Sequence, residues 1–135
     1  MKLEIKTQSA KETSLNITDK VKSFEDACKV LGVNGEVLTG TLHEALENDG
    51  KAIETHLKLL VIVKALNEGW TPDWSDDKDH KYYPWFDMEN GFVLYHVNYY
   101  DALTDVGSRL CFKSRELAEY AAKQFLDLYK DYFTI

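Results

Sequence analysis

Residues 70–112 read WTPDWSDDKDHKYYPWFDMENGFVLYHVNYYDALTDVGSRLCF. The reading of this stretch decides the fold. Asn90-Gly91 lies between two β-prone runs, and both residues tolerate positive φ, which a tight hairpin turn requires. The run before the turn, His80 to Phe86, is expected to be extended. Pro84 confines it to a sheet edge or an irregular strand, because proline has no N–H to donate. The run after it, Phe92 to Tyr100, alternates. Val93, Tyr95, Val97 and Tyr99 form its more apolar set and are expected to face the core. A loop over Asp101 to Asp105 then leads to a third expected strand, Gly107 to Phe112.

The flanks supply helices to cover this sheet. Ser23 reads as an N-cap, with Glu25 and Asp26 in the first turn and Phe24, Ala27, Cys28 and Leu31 on one face. Gly32 closes that helix in a left-handed cap. Thr41-Leu42-His43-Glu44 has the capping-box pattern, and a short helix to about Glu47 follows, broken at Asn48-Asp49-Gly50. A second helix is expected from about Lys51 to Glu68. Ile53, Leu57, Leu59, Leu60, Val61, Ile62, Val63 and Leu66 leave it only a narrow polar face, as in a buried central helix. Gly69 ends it. After the sheet, Ser114 caps a long amphipathic helix whose apolar stripe runs through Leu117, Ala118, Ala121, Phe125, Leu128, Tyr129 and Tyr132.

The expected fold class is therefore α+β: a three-stranded antiparallel sheet packed by a buried central helix and a C-terminal amphipathic helix, with short N-terminal helices. Residues 1–17 show only weak alternation and read as a flexible arm. Residues 18–135 read as one domain, long enough to bury a core without metals or disulfides.

Composition narrows the function classes. The formal net charge is −7, and acidic residues outnumber basic ones in both halves of the chain. Phosphate affinity comes from clustered Lys and Arg, so nucleic acid is a disfavoured partner. Cys28 and Cys111 sit among apolar neighbours without a CxxC spacing, as buried thiols of a reducing compartment do. The N-terminus lacks the apolar core of a signal peptide, and the longest apolar run, Leu59 to Val63, cannot cross a bilayer. The expectation is a soluble cytoplasmic protein with no membrane partner.

No motif carries chemistry. Asp73, Ser75, Asp77 and Asp79 recur at alternate positions, yet Lys78 and Pro84 stand where a calcium loop needs Gly and Glu. His43, His56, His80 and His96 show no zinc spacing; His80 beside Asp79 is the only pair that merits a metal test. Neither a phosphate loop nor a nucleophile elbow is present. No catalytic residue, cofactor or metal ligand is assigned.

The informative excess is aromatic: ten of the seventeen aromatic residues lie between Trp70 and Tyr100. Adjacent side chains of a strand point to opposite faces, so Tyr82-Tyr83 and Trp85-Phe86 cannot all enter one core. The surplus rings are either covered by a helix of the chain, or form a protein–protein or self-association surface, or stack on a sugar or base. Trp74, Tyr82 and Trp85 are the candidate partner- or ligand-binding residues.

Three segments carry a resemblance: KLLVIVKALNEGWTPDW (Lys58 to Trp74), KYYPWF (Lys81 to Phe86) and GSRLCFKSRELAEYAAKQFLDLYKDYF (Gly107 to Phe133). With the block from Ser23 to Gly32, the chain resembles an uncharacterised family of small proteins encoded by phages, prophages and conjugative elements of Bacteroidetes-type bacteria. The resemblance implies a mobile-element accessory role and no mechanism. The leading expectation is a non-enzymatic interaction protein. One rival is a nucleic-acid binder using the short helices around Phe24–Leu31 and Leu42–Glu47, although Glu44, Glu47 and Asp49 would repel phosphate. Another is a small enzyme with a pocket above the sheet near His80, His96 or Asp101.

Overall fold

Among the described residues two strands make the sheet, not three. The computed structural model describes residues 16–39, 43–104 and 108–134. The arm expected over residues 1–17 lies outside them up to residue 15, as does the Thr41 end of the expected capping box. Within them the order is α1 (Ile17–Lys20), α2 (Phe24–Leu31), α3 (Gly35–Thr39), α4 (His43–Leu66), β1 (Lys81–Asp87), β2 (Val93–Tyr100), a 3₁₀ turn (Ser108–Leu110), α5 (Arg115–Gln124) and α6 (Leu126–Thr134). The class is α+β, and β1 and β2 pair antiparallel.

The expected third strand contributes a single bridge, Tyr82 to Phe112. The Tyr82 N–H donates to Phe112 O at 2.9 Å, and the Phe112 N–H donates to Tyr82 O at 2.6 Å. Tyr82 thus aims its peptide groups away from β2, and by the two-residue period of a strand Pro84 does the same. The next rung on that edge would pair Pro84 with Leu110, and Pro84 has no N–H to give it. The ladder stops there, and residues Ser108–Leu110 coil into the 3₁₀ turn instead.

The Asn67 side chain serves the other edge of the Phe112 segment. Its Nδ2 donates to Cys111 O at 3.0 Å, and its Oδ1 accepts from the Lys113 N–H at 3.0 Å. This buried amide clamps the end of α4 to the segment that would have been a strand.

The hairpin also departs from expectation. The connection spans Met88 to Phe92 rather than a two-residue turn. Asp87 organises it: Oδ1 accepts from the N–H groups of Glu89 (3.0 Å) and Asn90 (3.2 Å), and Oδ2 accepts from Asn90 Nδ2 (2.8 Å). These bonds, chiefly the Asn90 side chain, hold the Asp87 carboxyl below its usual range. Gly91 and Phe92 both take positive φ, 86° and 60°. A bulky residue in that region is strained. Burial of the Phe92 ring, stacked at 4.7 Å on Phe86, offsets the cost.

Inside the ladder, Trp85 pairs with His96 but Phe86 pairs with Leu94, so Tyr95 is an extra residue. Such a bulge inverts the in-out parity of β2. The set expected to face the core is thereby split: Val97 is buried, whereas Val93 and Tyr95, on the far side of the register shift, are exposed; Tyr99 keeps the parity of Val97 and is exposed as well. The inner face carries Tyr82, Pro84 and Phe86 with their partners Tyr99, Val97 and Leu94; the outer face carries Lys81, Tyr83 and Trp85 with Tyr100, Asn98 and His96.

Two helices differ in length from their sequence pattern. α4 runs unbroken through Asn48-Asp49-Gly50. An interior glycine without proline costs a helix only about 1 kcal/mol, which packing outweighs; Gly50 is buried. The expected C-terminal helix divides at Phe125 (φ −113°, ψ 30°). Its halves have different partners: α5 lies on β1 and β2, and α6 lies along α4. Ser23 and Ser114 cap as expected, accepting from the N–H groups of Asp26 (3.1 Å) and Leu117 (3.2 Å). The core joins Leu59, Ile62 and Leu66 of α4 to Phe112, Leu117, Ala121 and Tyr129.

Candidate functional site

Each sheet face is built differently. Over the inner face, Arg115 at the start of α5 donates from Nη1 to Val97 O at 2.6 Å and lies 5.4 Å from the Tyr82 ring centroid. Tyr82 meets His80 and Tyr99 edge-on and packs against the core, half-buried. Farther along, Phe86 contacts Tyr129 and Phe133 of α6. Apart from the exposed Tyr99, this face is covered by the chain itself.

The outer face is covered at one end only. The chain from Trp70 to Asp79 folds back over Lys81, whose side chain is fully buried. Lys81 Nζ donates to Asp76 O (2.9 Å) and Asp101 O (2.6 Å) and lies 5.0 Å from the Trp74 ring. The acidic loop is held by its own turns: Asp73 Oδ1 accepts from the Ser75 hydroxyl (2.6 Å) and N–H (3.0 Å), and Asp79 Oδ2 accepts from the Asp73 N–H (2.8 Å). The Ser75 hydroxyl, with its N–H, holds the Asp73 carboxyl below its usual range. Trp74 packs on Tyr100, and Tyr100 stacks on Tyr83 at 4.1 Å.

Toward the hairpin the outer face is open. Trp85 is 53% exposed, Tyr95 68%, Met88 55% and Val93 46%. The rings of Trp85, Tyr95 and His96 gather with centroid distances of 6.2, 5.0 and 4.8 Å. The bulge sets this cluster, because it turns Tyr95 and His96 together toward Trp85. The three residues singled out from sequence thus part company: Trp74 is a half-buried lid over Lys81, Tyr82 lies on the inner face, and Trp85 stands at the open end of the outer face.

Sequence reasoning missed Tyr95 as a surface ring, because strict alternation assigned it to the core. It also missed Lys81, for which the Asp-rich loop before it was the available signal. His80 stacks on Tyr99 at 4.2 Å, with Nε2 3.4 Å from Asp101 Oδ1. Among the described residues no group of three or more His, Cys, Asp and Glu side chains is placed to hold a metal ion. Cys111 is buried, and burial pushes its thiol up to about 11, away from nucleophile chemistry. No helix among the described residues is long and apolar enough to cross a membrane. Comparison with family models, curated proteins and solved structures found no match for this chain.

Proposed function

We propose that the protein is a non-enzymatic interaction protein, an accessory factor of a phage or related mobile element. On this reading it engages a protein partner, or a second copy of itself, through the open end of the outer sheet face. The observation that supports it is the Trp85–Tyr95–His96 cluster with Val93 and Met88 beside it, large side chains left in water by a sheet whose inner face is covered apart from Tyr99. Large exposed apolar patches mark interaction surfaces, and Trp and Tyr are the residues that most often anchor them. The mobile-element context rests on the resemblance of the Lys58–Trp74, Lys81–Phe86 and Gly107–Phe133 segments.

The test is solution mass across a concentration series, and partner capture, for the full chain and for Trp74→Ala and Trp85→Ala. Trp85→Ala is expected to lose the interaction while melting at the parent temperature, since its ring makes little core contact. Retention of every interaction by both variants, or losses explained by unfolding alone, would sink the reading.

A further inference from the structure

A second site lies away from the hairpin, in a groove of about 520 Å³ between the end of α4, the Trp70–Trp74 segment and the 3₁₀ turn. Leu60, Val63, Lys64 and Asn67 present one helical face to it. Its floor is buried Val63 and Cys111, and its walls include Trp70, Pro72 and Trp74. Glu68 and Gly69, both at positive φ (51° and 86°), turn the chain sharply enough to set the two indoles beside the helix that precedes them.

The charge in this groove is inverted relative to the molecule. The chain has 23 acidic and 16 basic residues, yet among the described residues no carboxylate lines the groove, and Lys64 and Arg109 do. Two other surface hollows mix the signs: Glu25 and Glu36 with Lys29 and Lys58 in one, Glu68 and Glu116 with Lys113 in the other. Three surface lysines are paired, Lys58 with Glu54, Lys113 with Glu68, and Lys123 with Glu119. Lys64 and Arg109 form no ion pair among the described residues. The remaining buried polar group is already used, since the Asn67 amide is committed to Cys111 and Lys113. An entering molecule therefore meets indole and aliphatic walls and two unspent cations.

We infer that this groove binds a small planar ligand carrying an anionic group, the ring against the Trp70 and Trp74 walls and the anion on Arg109 and Lys64. The volume suits a molecule of nucleotide size or smaller. Guanidinium and ammonium groups supply charge-assisted hydrogen bonds to phosphate or carboxylate, and aromatic walls accept a planar body without further polar contacts. A nucleoside monophosphate and an aromatic carboxylate share this chemistry.

The experiment follows the three indole N–H signals of the ¹⁵N-labelled full chain, assigned with Trp→Phe variants, during titration with adenosine monophosphate, indole-3-acetate and neutral adenosine. Saturable shifts of Trp70 and Trp74 with an unmoved Trp85 are expected for at least one anion, with adenosine at least about tenfold weaker. The tighter anion names the source, phosphate or carboxylate. Arg109→Gln is expected to weaken that anion about tenfold, with Lys58→Gln without effect as the charge control. Equal binding of adenosine, full affinity in Arg109→Gln, or no shift with either anion overturns the inference. Trp85 is the reporter of the proposed protein-binding face, so failure at the groove is separable from failure there.

Discussion

Asn67 shows how one side chain substitutes for missing secondary structure. Its amide does for the Phe112 segment what a neighbouring strand would have done, one donor and one acceptor at 3.0 Å each. Asn67→Ala removes both bonds and is expected to cost about 2–4 kcal/mol in urea unfolding, most of it desolvation of the groups the amide served. Cys111, beside it, sets a pH dependence. Burial raises its thiol from 9.0 to about 11, so the folded chain keeps a proton that the unfolded chain releases in that window. Where the folded state binds more protons, stability falls as pH rises. Unfolding free energy is therefore expected to decline between pH 9.0 and about 11, and Cys111→Ala should flatten that decline when chain stability is followed against pH. Neither role is visible in the sequence, where Asn67 falls within the expected Lys51 to Glu68 helix and Cys111 within the expected third strand.

At the level of elements, local signals were legible in part: caps held, whereas Asn90-Gly91 did not make a two-residue turn and Asn48-Asp49-Gly50 did not break α4. The Ser23 and Ser114 caps and the Gly32 stop follow from backbone rules that need no tertiary partner, whereas α4 ends at Leu66, ahead of the expected Gly69. Ser114→Ala is accordingly expected to cost about 1 kcal/mol, read as a shift in the urea midpoint with an unchanged m-value. The larger misses depend on more than one element. The third strand fails because of Pro84 on a different strand, and the core parity of β2 inverts because Tyr95 has no partner across the ladder. The C-terminal stripe from Leu117 to Tyr132 has no proline or glycine to announce its division at Phe125. That division follows from α5 and α6 packing on different partners. The same bulge explains why the candidate site was only partly readable: Trp85 was singled out as a surplus ring, while Tyr95 was assigned inward.

Over the whole molecule, helices and sheet enclose one core beneath the inner sheet face, and the outer face is closed at the Lys81 end by the chain's own acidic loop. The open hairpin end is where the proposed interaction resides, and the Trp70–Trp74 groove is a separate place with the opposite charge character. The central claim is that the Trp85 end of the outer face is open in the isolated chain and covered in its complex. The most direct measurement is broadening of the three indole N–H signals by a soluble paramagnetic agent, in the dilute chain and in its associated form. The account expects Trp85 to broaden well beyond Trp70 and Trp74 in the isolated chain, and to be protected on association. Broadening of Trp85 no greater than that of Trp74, or undiminished in the complex, would contradict it.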